Sequence, residues 1–259
     1  MDIDALRADT PGTANCIHMN NAGAGLMANP VVDAVHAHLD LEASIGGYEA
    51  ATVQAEPLQA VYRSVARLLN VDSDEIALLE NATVAWDKAF YSLPFNEGDR
   101  ILTCQSEYGA NYVAYLQMAK RIGVKIDVIP NDEFGAVDPV ALDSMIDDQV
   151  KLISITHIPT NGGLVNPAEA IGVIARKHNI LYLLDACQSA GQMPLDVQAI
   201  GCDMLSAAGR KFLRAPRGTG FLYVRRSLLQ TLEPSTIDHF AGVWVDADNY
   251  ELRPDARRF

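Results

Sequence analysis

No apolar run among the 259 residues approaches the roughly 18 to 20 needed for a membrane-crossing helix. Positive charge is scarce: 20 Lys and Arg face 33 Asp and Glu, a formal charge of -13. Such a balance repels phosphate backbones and anionic lipid heads, so neither nucleic acid nor a membrane surface is expected as a partner. Cysteine is sparse as well. Cys16, Cys104, Cys187 and Cys202 form no CxxC pair and no Cys/His cluster with zinc spacing, so no metal site is expected. Scattered in this way they read as small buried hydrophobes in a reducing cytosol. Met1 to Thr10 lack the basic and apolar regions of a signal peptide, and a cytoplasmic location is expected. Internal repeats, low-complexity tracts and Gly/Ser linkers are missing too, which excludes disordered and fibrous classes.

Against these absences stands an apolar content of 49%, enough for a sizeable core. Short β-branched runs predict strands at Ile76–Leu79, Ile101–Cys104, Lys125–Ile129, Leu152–Thr156, Leu181–Asp185, Met204–Ala207 and Gly220–Val224. Helical patterns fall between and before them, at Pro30–Ser44, Gln54–Leu69, Val84–Ser92, Asn111–Ile122, Val140–Asp147 and Pro167–Lys177. In the last of these, Ile171, Ile174, Ala175 and His178 share one face, and Pro167 suits the first turn, where its missing N–H costs nothing. Near-continuous apolar strands such as ILYLLD point to a sheet covered on both sides. The expected fold class is α/β, a three-layer αβα arrangement around a mostly parallel seven-stranded sheet.

Ligands in such sheets sit beyond the carboxyl ends of the strands. Five polar turns follow predicted strands there: Glu80–Thr83, Ser106–Asn111, His157–Gly163, Asp185–Gln188 and Ala208–Lys211. A sixth segment is a decoy. Gly23, Gly25 and Ala28 match a dinucleotide fingerprint, but CIHMN before them is a poor buried strand. The only acidic residue near the required spacing, Glu42, lies in a helical pattern. The segment reads instead as a flexible turn ahead of a helix opened by Pro30, and no P-loop occurs.

Asp185 closes a strongly apolar strand, where a carboxylate is costly without a partner. Lys211 follows the next strand, beside Arg210 and Arg214, in surroundings that favour a nucleophilic amine. A strand-end Asp with a later Lys is the pattern of pyridoxal-phosphate enzymes, in which the Lys forms a Schiff base and the Asp holds the pyridine nitrogen. Taken alone, Asp185 reads equally as a helix N-cap and Lys211 as a surface lysine. Ala82 and Thr83 open a helical pattern, and their N–H groups are placed for an anion.

The segments ENAT, SEYGANY, PTNGGLVNP, LLDACQSAGQMPLD, AAGRK and RGTGFLYV occur in an order that resembles the class V pyridoxal-phosphate-dependent aminotransferases. That family includes cysteine desulfurases, C–S lyases and isopenicillin-epimerase-like enzymes. The resemblance implies the large domain of a fold-type-I transferase, a pyridoxal 5'-phosphate cofactor, and a homodimer sharing its active sites around a small amino-acid substrate. It also implies roles. Lys211 carries the cofactor and shuttles the Cα proton, Asp185 pairs with the ring nitrogen, and Gln188 meets the phenolic oxygen. Ala186 packs on the ring, while Ala82, Thr83 and Arg210 hold the phosphate. Asn161, with Thr160 as the competing choice, approaches the phenolic oxygen, and Thr219 reaches toward the partner subunit's phosphate.

Two departures from the family pattern stand out. Tyr108 occupies the place of the ring-stacking His of desulfurases; it stacks as well but donates protons poorly at neutral pH. Relatives also continue past Arg257-Arg258-Phe259 into a small domain on the order of a hundred residues, which carries the arginine for the substrate carboxylate. The implied organisation is an N-terminal segment at 1–50, a cofactor domain at 51–240 and the start of a truncated C-terminal region at 241–259. The end RPDARRF is expected to lack a closing element, Cys104 and Cys187 to be core residues, and His157 to be either structural or a substrate contact. The expected function is chemistry at Cα, desulfurase-like or C–S-lyase-like. Transamination, epimerisation and cofactor binding without turnover are the alternatives.

Overall fold

The computed structural model describes residues 2–259. Seven strands form one sheet: β1 (Ile76–Leu79), β2 (Arg100–Thr103), β3 (Lys125–Val128), β4 (Val150–Thr156), β5 (Leu181–Asp185), β6 (Met204–Ala208) and β7 (Gly220–Val224). Their spatial order is β1-β7-β6-β5-β4-β2-β3, and only β7 runs antiparallel to its neighbours. The sheet is therefore mostly parallel, as its apolar strands imply. Nine helices accompany it among the described residues: α1 (Ile3–Ala8), α2 (Asn29–Ile45), α3 (Gly47–Val53), α4 (Ala55–Leu69), α5 (Ala82–Phe90), α6 (Gly109–Ile122), α7 (Pro139–Met145), α8 (Ala168–His178) and α9 (Val197–Ile200). None is long and apolar enough to cross a membrane.

Strand alternation sorts the core into two layers. Tyr182 and Leu184 of β5 face Leu69 of α4, Leu142 of α7 and Ile171 of α8. Leu183, between them, faces Trp86 and Phe90 of α5 and Tyr115 of α6. Each such burial contributes about 1.5–3 kcal/mol. Ile171, Ile174 and Ala175 bury as their spacing predicts, whereas His178 stays partly exposed because its Nε2 pairs with Asp143 at 2.6 Å. Pro167 is the N-cap of α8, one residue outside the first turn expected for it.

Three further expectations are corrected. Cys16 is exposed, unlike the other three cysteines. The GAG segment is not a loose turn, as the site below makes plain. The C-terminal end is closed by a short 3-10 turn at Ala256–Arg258, where the Asp255 side chain accepts from the Arg257 N–H. Ala256 and Phe259 bury in the α5-side core, and the Arg257 guanidinium lies 3.9 Å from the centroid of the Tyr62 ring. A polar-looking stretch docks here because arginine can stack on an aromatic face.

Parallel strand direction gathers the functional turns. The carboxyl ends of β1, β2, β4, β5 and β6 lie along one edge, and β7 starts there. Thr156 on β4 and Ser206 on β6 flank Asp185 in register.

Candidate active site

Asp185 is only 4% exposed, yet its carboxylate is well held. Oδ1 accepts from the Cys187 N–H at 2.9 Å and Oδ2 from Asn111 Nδ2 at 3.0 Å. Lys211, in the turn after β6, is 6% exposed and makes no ion pair or hydrogen bond through Nζ among the described residues. Its amine stands over the Tyr108 ring, 5.6 Å from the centroid. Lys211 lines a cleft, and Asp185 accepts from the N–H of Cys187, a residue of the same lining.

That cleft, about 500 Å³, runs from Lys211 and Cys187 to the N-terminus of α5. There Asn81 caps the helix, its Oδ1 accepting from the Val84 N–H at 2.9 Å, while Ala85 bonds back to the Asn81 carbonyl. The amides of Ala82 and Thr83 are left without a partner among the described residues and face the cleft beside Arg210 and Thr219. Free N–H groups at a helix start are an anion site. The close approach of β7 needs Gly220, since a Cβ there would lie 2.5 Å from the Asn81 carbonyl carbon. Thr219 lines the cleft of its own chain, with its hydroxyl donating to the Pro216 carbonyl at 2.6 Å.

Tyr108 separates this space from a second cleft of about 510 Å³ containing Thr160 and Asn161. Gln188 links Thr160 to the N-terminal segment, Nε2 donating to Thr160 Oγ1 at 3.3 Å and to the Ala22 carbonyl at 3.1 Å. Its Oε1 is buried and unpartnered. Thr160, rather than Asn161, therefore touches Gln188. The GAG segment is a strap: the Gly25 N–H donates to the Arg210 carbonyl at 2.8 Å, and Arg214 Nε donates to the Leu26 carbonyl at 2.7 Å. A Cβ on Gly25 would stand 2.5 Å from the Lys211 carbonyl oxygen, so glycine is required where the strap crosses the lysine turn.

The model of the aminotransferase class-V family matches residues 17–258. The chain belongs to the class-V aminotransferase family. A probable cysteine desulfurase of Methanothermobacter thermautotrophicus is 31% identical over 262 residues, covering 100% of this class-V chain and 65% of the relative. An apo cysteine desulfurase from Thermococcus onnurineus superposes with a TM-score of 0.90 at 26% identity, covering 99% of this chain and 65% of its own. A cystine C–S lyase shares the fold at a TM-score of 0.89 and 23% identity, covering 96% and 68%. This class-V chain therefore spans just under two thirds of the length of that curated relative.

The family uses pyridoxal phosphate, and the class-V site fits that group. Two free amides with Arg210 suit a phosphate, a buried unpaired lysine suits an aldehyde, and the buried Asp185 carboxylate suits a protonated ring nitrogen. Two details depart from the residue roles the resemblance implies. Ala186 does not face the cleft: it is fully buried in the α8-side core, and Cys187, next in the turn, lines the cleft instead. Gln188 turns its amide nitrogen to Ala22 and Thr160, leaving its oxygen free. Burial, with Asp185 adjacent, holds the Cys187 thiol well above the ordinary range, so it stays protonated. Burial likewise pushes the Cys104 thiol up to about 12.

His157 resolves as structural. It is 5% exposed, Nδ1 pairs with Ser189 Oγ at 3.0 Å, and burial lowers its pKa to about 4, so it is neutral near pH 7. Sequence reasoning missed Cys187, Glu107, Asn111 and Thr156 as site residues. Glu107 and Asn111 belong to a turn already singled out, and a carboxylate just past an apolar strand was the available signal.

Proposed function

We propose that this chain is the cofactor-binding part of a pyridoxal-phosphate enzyme acting at Cα of cysteine or a related sulfur amino acid, with desulfurase or C–S-lyase chemistry. The observation that carries the reading is buried Lys211 on a cleft that ends at the free amides of α5, with Asp185 bound to the N–H of Cys187 in the same wall. When bound, pyridoxal phosphate supplies a conjugated electron sink for bonds at Cα. Lys211 Nζ would hold the aldehyde carbon and later accept and return the Cα proton. Asp185, oriented by Asn111 and the Cys187 amide, would keep the ring nitrogen protonated. Ala82, Thr83, Arg210 and Thr219 would bind the phosphate. Tyr108 would cover one ring face, with Cys187 rather than Ala186 packed on the cleft wall, and Gln188 Nε2, exchanging its bond to the Ala22 carbonyl, would meet the phenolic oxygen with Thr160 or Asn161.

Support for the sulfur substrate comes from the desulfurase relatives and from the fold shared with a C–S lyase. Neither Cys104 nor Cys187 serves as a sulfur acceptor in this reading, because both are buried and protonated. The domain reading keeps residues 51–240 as the cofactor unit. A homodimer accords with α2, none of whose residues is buried in the single chain. A cytosolic setting accords with the free cysteines.

The test is to purify the chain with pyridoxal phosphate and record a visible absorbance band that borohydride abolishes. Loss of the band in Lys211→Ala supports the assignment, and an unchanged band overturns it. Sulfide release from cysteine then separates desulfurase or lyase activity from transamination, which yields a 2-oxo acid, and from epimerisation, which yields the D-amino acid. Uptake with no turnover identifies a binding domain only.

A further inference from the structure

Joined to Asp185 through Asn111 is a second, half-buried carboxylate that none of the roles above employs. Glu107 sits between β2 and α6, and its head is surrounded by donors. Oε1 accepts from the Tyr108 N–H at 2.7 Å, from Asn111 Nδ2 at 3.0 Å and from the Thr156 hydroxyl. Oε2 accepts from the Thr103 hydroxyl at 2.9 Å. Asn111 is the hinge of the arrangement, because the same Nδ2 donates to Glu107 Oε1 and to Asp185 Oδ2, each at 3.0 Å. Turning that amide over would aim its oxygen at two carboxylates, so the two acceptors fix its orientation. Asn111 is 2% exposed, which leaves no solvent to substitute for either bond.

We propose that Glu107 is a positioning residue: through Asn111 it sets the orientation of Asp185, and through the Tyr108 amide it fixes the aromatic wall under Lys211. The role rests on the reading that the cleft binds pyridoxal phosphate. Glu107 lines the second cleft and not the one that holds Lys211. It fixes the donor that aims Asp185 and the backbone that carries Tyr108, so two walls of the site share one anchor. The larger part of its effect on the cofactor passes through Asp185 and the smaller part through Tyr108. Burial raises the Glu107 carboxyl above the usual carboxylate range, with the Thr156 hydroxyl opposing and Asp185 adding to the rise, as befits a group placed for its contacts.

The experiment is a double-mutant cycle read by cofactor affinity, with pyridoxal phosphate titrated into the apo chain and followed by visible absorbance. Glu107→Ala should weaken affinity roughly tenfold or more, since it takes the acceptor from the Thr103 and Thr156 hydroxyls and from one Asn111 N–H. Glu107→Gln keeps an oxygen at the Oε1 position and an amide that Thr103 Oγ1 can accept from, so it should restore affinity to within roughly threefold of wild type. In an Asp185→Ala background, Glu107→Ala should add less than a roughly threefold loss, the share carried by Tyr108. Equal losses in both backgrounds, or Glu107→Gln as weak as Glu107→Ala, would overturn the positioning role. Should Glu107→Ala fail to fold, Asn111→Ala removes the bridge from its other end and must show the same non-additivity with Asp185→Ala. A wild-type chain that takes up no pyridoxal phosphate contradicts the cofactor reading itself, a result distinct from additive losses in a chain that binds.

Discussion

The Lys211 amine stands 5.6 Å from the centroid of the Tyr108 ring, over a residue whose backbone N–H is held by the Glu107 carboxylate. A flexible lysine is thus placed against a wall that is itself anchored. Tyr108 is 41% exposed, so its ring contributes more to the cleft than to the core. Tyr108→Ala should weaken pyridoxal-phosphate affinity roughly three- to tenfold, the worth of one aromatic contact, with little change in melting temperature. Tyr108→Phe should retain most of the affinity, because the face and not the hydroxyl forms the wall.

At the other end of the cleft the anion site depends on Asn81. Asn81→Ala removes the acceptor for the Val84 N–H. It should lower the unfolding free energy by about 1 kcal/mol, read as a shifted urea midpoint with unchanged slope.

The strap gives a third prediction. Gly25→Ala places a methyl carbon 2.5 Å from the Lys211 carbonyl oxygen, a contact that forces the two segments apart. Destabilisation of about 1–3 kcal/mol is expected, with faster proteolysis within residues 20–27. Unchanged protease sensitivity would show that the strap does not depend on this crossing.

His157 supplies a pH dependence. Burial lowers its pKa from the ordinary 6.5 to about 4, so the folded state holds the neutral ring. A depressed pKa contributes stability that is present above pH 6.5 and lost as pH falls toward 4, by at most about 3 kcal/mol. Denaturant unfolding across that range should show the decline, and His157→Asn should flatten it.

Much of this was legible in the sequence, for identifiable reasons. Strands buried on both faces are apolar without interruption, so β5 and its neighbours announce themselves, and parallel order places the turns after them at one edge. Asp185 and Lys211 were visible because a charge at the end of such a strand needs a reason. Less visible was anything set by a single step of the chain. Ala186 and Cys187 differ by one position in a turn, and which one faces the cleft depends on backbone direction after Asp185. The bridge from Glu107 to Asp185 depends on Asn111 meeting Asp185 across 74 positions, a pairing that no local pattern encodes. Docking of the Gly25 strap and of Phe259 likewise depends on contacts between distant segments. The hairpin of β8 (Gly242–Trp244) and β9 (Tyr250–Leu252) escaped notice because each strand has only three residues.

The central claim is that Lys211 carries the cofactor. Borohydride reduction of the pyridoxal-phosphate-loaded chain, followed by peptide mass spectrometry, tests it most directly. The account predicts a phosphopyridoxyl group on the peptide containing Lys211 and on no other lysine. A label on a different lysine, or none on a chain that retains bound cofactor, would contradict it.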